Sequence, residues 1–319
     1  RGGLKWASKT IGLGSVVKTS PVETSAGTNT VIGIAATVFA YHLTINLIML
    51  VDVLLLSRAV SESWAASGAS AVEATREANA LVGYYRASQT FALIPYQLTL
   101  AAGFVSFPLV AKAAAERDRG QLREIVRTTV RFGLLALFFL AVPLSSRPEG
   151  VLAFVYPADY AQGAASLAIL SAAFVAFTVF TICCTLLNAL GLARMTAILA
   201  VVALAGVVGM NVVLVPGTVG SEALRATALA TATGMAIGCA GAVAVLWREV
   251  GVPVRAATVV RGLAASALGI LVGRLFPGSS RAATLIACAA ACGAYGALLV
   301  LTREVGGAEV AHIKAALGL

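Results

Sequence analysis

Met195–Val215 reads MTAILAVVALAGVVGMNVVLV, a run without one charge in which Thr196 and Asn211 are the only polar side chains. A helix rises 1.5 Å per residue, so about 20 mostly apolar residues cross the hydrocarbon core of a bilayer. This stretch has that length and that composition, and it reads as a membrane span. The same window, carried outward in both directions, finds further spans over Val31–Ser57, Gly83–Val110, Phe132–Ser145 and Ala164–Leu190. Beyond it come Ala226–Trp247, Gly262–Phe276 and Ala282–Thr302. The expectation is an all-α integral membrane protein with about eight transmembrane helices.

Composition excludes a soluble fold. Hydrophobic residues make up 59% of the chain and charged residues 12%, against about 25% charged in ordinary globular domains. The mean hydropathy is +0.92. A soluble domain of 319 residues would need far more polar surface to cover its core. Lys and Arg number 23 against 14 Asp and Glu, but they fall between the apolar runs, as membrane orientation requires. That placement argues against a nucleic-acid partner. The five cysteines, Cys183, Cys184, Cys239, Cys288 and Cys292, all lie inside apolar runs with no CxxC or Cys/His metal spacing. They read as small buried hydrophobes, and no metal or cofactor is implied.

The chain opens on Arg1 with no signal-peptide pattern, and a basic, Gly/Ser/Thr-rich stretch runs to Thr30. It is expected to be a fragment whose upstream part is missing. The most charged stretch, Lys112–Arg131, reads KAAAERDRGQLREIVRTTVR. Its Arg123, Arg127 and Arg131, each four apart, predict an amphipathic helix lying on the membrane surface. With the N-terminus inside, sixteen basic residues fall on the inner side and seven on the outer. The positive-inside rule therefore puts both termini in the cytoplasm. Gly234 and Gly238, and again Gly269 and Gly273, form GxxxG pairs that let helix backbones approach closely.

Polar groups inside spans are costly and mark candidate sites. The first span carries His42, Asn46 and Asp52. Asp52 has two readings: a coupling or gating site near the outer surface, or an acid at the span's end that reaches water or pairs with Arg58. His42 and Asn46, one turn apart on one face, are candidates for the same coupling or gating role. The second span places Arg86, Thr90 and Gln97 on one stripe with Gln89 beside it, and adds Tyr84, Tyr85 and Tyr96. Pro95 sits mid-helix and removes the partner of the Phe91 carbonyl, so a kink is expected there. A polar stripe on a kinked helix suits the wall of a water-filled cavity; the other reading is an interfacial belt of Arg86 and the tyrosines. The fourth span has a stripe of Ser171, Thr178, Thr181, Thr185 and Asn188, whose hydroxyls can also bond back to their own helix. Asn211 reads as an interhelical amide. No catalytic constellation is visible: His42 has no nucleophile in sequence reach and no glycine-rich phosphate loop follows a strand. The chain is not expected to be an enzyme.

Four segments carry a resemblance. They are NLIMLVDVLLLS (46–57), GYYRASQTFALIPYQLTLAAGFVSFPLVAKAAAERD (83–118), YPADYAQGAASLAILSAAF (156–174) and LLNALGLARMTAILAVVALAGVVGMNVVLVP (186–216). Together they resemble the second lobe of polysaccharide flippases of the multidrug/oligosaccharidyl-lipid/polysaccharide (MOP) superfamily, with Asp52, Tyr84, Pro95, Pro108, Tyr160 and Asn211 as the positions that carry the likeness. The resemblance implies two six-helix lobes around a central cavity, often with two extra helices, working by alternating access. Mapped onto this chain, 1–30 is a cytoplasmic linker, 31–250 the second lobe, 251–304 two additional helices and 305–319 a cytoplasmic tail. The implied cargo is a polyprenyl-pyrophosphate-linked oligosaccharide, moved across the bacterial inner membrane for surface or exopolysaccharide biosynthesis. The implied partners are that lipid-linked cargo, membrane lipids, the missing first lobe, and polysaccharide polymerases or glycosyltransferases. An anionic pyrophosphate with a polar glycan would suit a cavity lined by Arg86, Gln89, Tyr96, Gln97, Thr178 and Asn188, an assignment made from helix faces. Two siblings stay open: a peptidoglycan lipid-precursor flippase, and a cation-coupled multidrug antiporter using Asp52.

Overall fold

The computed structural model describes residues 26–277 and 280–304, without the side chains of 26–31, 34 and 98–104. The expected linker up to residue 25 and the tail from 305, with His312 and Lys314, lie outside the described residues. Every regular element among those described is helical. In chain order they are α1 (Ala26–Ala66), α2 (Ala71–Ala92), α3 (Ile94–Ala115), α4 (Arg119–Ser146) and the short α5 (Pro148–Leu152). A 3-10 turn (Ala158–Gly163) then leads into α6 (Ala164–Ala189), α7 (Ala193–Leu214), α8 (Gly220–Val250), α9 (Ala256–Leu275) and α10 (Arg281–Leu301). Seven of these, α1, α4 and α6 to α10, are long and apolar enough to cross a membrane. In lipid each backbone group must be satisfied within its own segment, which is why the apolar runs become helices.

The second expected span, Gly83–Val110, is two helices. Pro95 has no N–H to give the Phe91 carbonyl, so α2 ends at Ala92 and α3 restarts at Ile94, with Pro95 in its first turn. The N–H of Leu93 closes α2 on Gln89 O at 2.9 Å, and Gln97 N–H opens α3 on Leu93 O at 3.1 Å. The break falls within two residues of the proline.

The third span is corrected in the other direction. Its apolar core looked short, and the basic stretch before it looked like a separate helix on the membrane surface. Both belong to α4, one 28-residue helix. Asp118 starts it by accepting from the N–H groups of Gly120 and Gln121 at 3.0 and 2.9 Å, a side-chain cap for otherwise orphan donors. Arg123, Arg127 and Arg131 therefore sit on the first four turns of a helix long and apolar enough to span. The first span is also longer than read: α1 continues past Ser57 to Ala66, where Gly68 takes φ +86 and lets Ala69 N–H return to Trp64 O. Ser70 and Glu73 then form a capping box that opens α2.

Packing sets α6 at the centre, against α2, α3, α4 and α8; α7 packs on α8 and α1, and α1 on α2. The pair α9 and α10 packs together and against α4. Both GxxxG pairs are seams inside this bundle. A Cβ on Gly234 would overlap the backbone of Val207 on α7, and one on Gly238 would lie 2.6 Å from the Ala203 Cβ. Gly269 meets Ala291 O of α10 and Val142 of α4, and Gly273 meets Ser146 of α4. Backbone cannot yield as a flexible side chain can, so Gly234→Leu is expected to cost about 3 kcal/mol through overpacking. Gly209→Leu on α7, with nothing within 4 Å of its Cβ, should leave the melting temperature of the purified protein unchanged; equal effects at both positions would contradict the seam.

Candidate functional site

The helix order brings three of the expected polar residues to one place. On α1, Tyr41, Ile45, Ile48, Asp52, Leu56 and Val60 form the buried ridge, spaced so that they share one face. Asp52 thus faces the bundle, fully buried. This overturns the reading in which it reaches water or pairs with Arg58, which pairs instead with Glu62 at 2.7 Å on the exposed face. On α2, Tyr85 and Gln89 are one turn apart and both buried. Tyr85 Oη donates to Asp52 Oδ2 at 2.9 Å, and Gln89 Nε2 donates to the same oxygen at 3.4 Å. From α8, Thr231 Oγ1 donates to it at 3.3 Å, while Val53 N–H donates to Oδ1 at 2.8 Å.

Arg86 completes the cluster. Its Nη1 donates to Gln89 Oε1 at 2.7 Å, and the Met49 carbonyl of α1 accepts from both Arg86 Nη1 and Gln89 Nε2, at 3.4 and 3.3 Å. The Gln89 amide therefore stands between guanidinium and carboxylate, donating to one and accepting from the other. A carboxylate buried among donors alone is held in its acceptor role without a direct ion pair, which offsets the cost of burying it. The Arg86 guanidinium is half-buried and, among the described residues, its hydrogen bonds go to neutral acceptors, so it remains able to attract an anion. Chemically the cluster can hold a charge, relay a change between α1, α2 and α8, and do so one turn before the break at Leu93.

The other expected residues lie elsewhere. His42 and Asn46 sit on the exposed face of α1, and each bonds to its own helix: His42 Nδ1 with Val38 O at 2.9 Å, Asn46 Nδ2 to His42 O at 2.8 Å. Past the break, Gln97 is exposed, and Tyr96 packs its ring 5.3 Å from that of Phe177. Thr178 is buried and returns its hydroxyl to Phe174 O at 2.6 Å. Ser171, Thr181 and Thr185 bond back to their helix in the same way, because a hydroxyl in apolar surroundings takes the nearest carbonyl. Asn188 closes the α6–α7 turn by accepting from Thr196 Oγ1 at 2.8 Å. Asn211 is a correction: its Nδ2 bonds Val207 O of its own helix at 2.9 Å, and its Oδ1 has no partner among the described residues. Tyr85 was read only as an aromatic hydroxyl and Thr231 was not singled out. The one signal for Thr231 was its place in the polar start of the sixth span.

A second polar cluster escaped the sequence reading altogether. Glu304, just past α10, is buried and accepts from Thr258 Oγ1 at 2.6 Å, Arg261 Nη1 at 2.7 Å and Arg131 Nε at 3.1 Å; Arg131 Nη2 also reaches its backbone carbonyl. Burial alone would raise this carboxyl, but the hydrogen bonds from Thr258, Arg261 and Arg131 hold it below the ordinary value. A depressed folded pKa means that its stabilisation is fully present above the ordinary glutamate value of about 4.3, and is lost as pH falls through the lower folded value. Glu304→Gln is expected to cost about 2 kcal/mol, below the figure for a fully buried pair because the Arg131 and Arg261 side chains are 32% and 43% exposed. The variant's melting temperature should therefore lie below wild type at pH 7 and converge on it in strong acid. No convergence would separate Glu304 from this pairing.

No family model matches the sequence, and no curated protein does. Among solved structures, the chain superposes on a protein described as lipid II flippase MurJ in an inward closed conformation, with a TM-score of 0.60 and 13% sequence identity. The match covers 82% of this chain and 52% of the other, so the chain spans about half the length of that flippase. At the level of fold this chain is therefore similar to that protein: an all-helical MurJ-like fold, with seven helices among the described residues long and apolar enough to cross a membrane.

Proposed function

We propose that this chain is one lobe of an alternating-access flippase for a polyprenyl-pyrophosphate-linked oligosaccharide, acting in a bacterial inner membrane. Residues 31–250 would be the six-helix lobe, 251–304 the two additional helices, and both termini would be cytoplasmic. The observation that carries the reading is the Arg86–Gln89–Asp52 cluster on a broken helix within a MurJ-like fold. Interrupted helices with polar side chains near the break are where transporters of many kinds hold charged cargo, and Arg86 offers the cation a pyrophosphate needs. Gln97, His42 and Asn46, on exposed surfaces, would face a cavity formed with a second lobe, and the part-buried Tyr96 would stand at its edge.

A second reading has its own support: the structural neighbour is described as a lipid II flippase, which favours a peptidoglycan lipid precursor as cargo. Depleting the full-length gene product separates the two. Loss of surface polysaccharide with viable cells is expected for the oligosaccharide reading; lysis through wall failure would replace it with the precursor reading. A drug-resistance phenotype from Asp52→Asn, with neither glycan nor wall defect, would point instead to a cation-coupled antiporter.

A further inference from the structure

At one end of the bundle a cavity of about 630 Å³ opens between the first turns of α4, the start of α9 and the segment after α10. Its walls carry Arg123, Arg127, Arg131, Arg255, Arg261 and Arg303 against only Glu124 and Glu304. Two of these arginines bond neutral carbonyls that leave their charge uncompensated: Arg123 Nε donates to Val250 O at 2.9 Å and Arg127 Nε to Val252 O at 3.2 Å. Arg131 and Arg261 share the one buried acid, Glu304. Among the described residues, no carboxylate lies within ion-pair distance of Arg255 or Arg303. The cavity also receives the start of α9, where Val254, Arg255, Ala257 and Thr258 line it and no side chain caps the helix. Uncapped N–H groups and the positive end of the helix dipole attract anions, so two separate features converge on one ligand charge.

We infer that this cavity binds the phosphate headgroup of an anionic phospholipid. The occupant is a lipid because apolar surface begins where the arginines end. Val260 follows on α9 at 65% exposed, and Val300 and Leu301 precede Arg303 on α10 at 52% and 78%. A headgroup held by the arginines would lay its acyl chains along these residues, the arrangement by which basic residues at a span end recognise acidic lipid. The positive-inside count puts this end in the cytoplasmic leaflet. The cavity is also separate from the Asp52 cluster: α9 and α10 pack on α4 and on each other, while Asp52 lies among α1, α2 and α8. The lipid is therefore a resident one that fixes α9 and α10 to α4, and this inference does not depend on which cargo is carried.

The test uses the purified full chain in detergent, with retained lipid measured by native mass spectrometry. Phosphatidylglycerol should be retained in preference to phosphatidylcholine. Arg255→Gln with Arg303→Gln, two side chains with no partner to lose, should lower phosphatidylglycerol retention roughly twentyfold, at about fivefold per charge removed, while Arg58→Gln at the opposite end leaves it unchanged. Equal retention of the two lipids by wild type would overturn the proposal, as would wild-type retention by the double variant. Complete displacement of phosphatidylglycerol by inorganic phosphate would assign the site to a free anion and likewise overturn it.

Discussion

Asp52→Leu is expected to lower stability by about 3 kcal/mol, a large fraction of the net stability of a folded protein. Leucine fits the volume of an apolar ridge, so sequence hydropathy alone would predict a gain. The structure reverses the sign. Tyr85 Oη, Gln89 Nε2 and Thr231 Oγ1 all donate to Asp52, and each loses its acceptor in a place water does not reach. Tyr85 and Thr231 lie 3.4 Å apart and can recover one bond between them, which keeps the cost from rising further. Gln89 loses its Asp52 contact but keeps Met49 O. The measurement is a thiol-reactivity melt, since Cys183 and Cys184 are buried on the central helix α6 and react only when it opens. A fall in Tm of roughly 6–12 °C is expected, with Asp52→Asn intermediate because asparagine keeps an acceptor oxygen but brings an amide donor among donors. An unchanged Tm for Asp52→Leu would remove the cluster as a structural lock.

Arg86→Ala in the full-length protein is expected to reduce transport tenfold to a hundredfold at modest cost in folding. A charge-assisted hydrogen bond to an anion contributes about 1.5–3 kcal/mol, which is that range of affinity. The folding cost is modest, about 1 kcal/mol: the guanidinium is half-buried and Met49 O keeps its bond from Gln89 Nε2, while Gln89 Oε1 loses its Arg86 donor. Arg86→Lys should retain part of the activity, since a lysine keeps the charge but not the fork. Vesicle translocation of a lipid-linked glycan reads the effect, with expression and Tm as controls. Full transport by the alanine variant would exclude Arg86 as a cargo contact.

Much of the candidate site was legible. The cost of polar groups in lipid singled out Asp52, Arg86 and Gln89 from the sequence, and those three do meet. The same argument over-reached on α6, where four hydroxyls on one arc satisfy themselves within their own helix. A hydroxyl can hide in that way; a carboxylate cannot, because it has no proton to give a carbonyl, and Asp52 takes Val53 N–H on one oxygen but needs α2 and α8 for the donors to the other. That difference explains why Asp52 signalled an interhelical site and Thr178 did not. Glu304 was missed because it follows the last span, in a charged terminus where an acid carries no penalty until tertiary structure buries it.

By itself the sequence determined the solvent, the helical class and most of the spans. Lipid leaves backbone groups no partner outside their own helix, so apolar length translates directly into structure. It also determined that the helix would be disturbed by a kink near Pro95, since a missing N–H is a local fact; that the kink is a break into two helices came from the structure. Only the tertiary structure decided which polar residues share a site. Asp52 and Thr231 stand 179 residues apart, and a helical wheel fixes the direction of a side chain but not the helix it meets. The structure likewise decided that the arginines of α4 gather, with those beside α9 and α10, around one cavity.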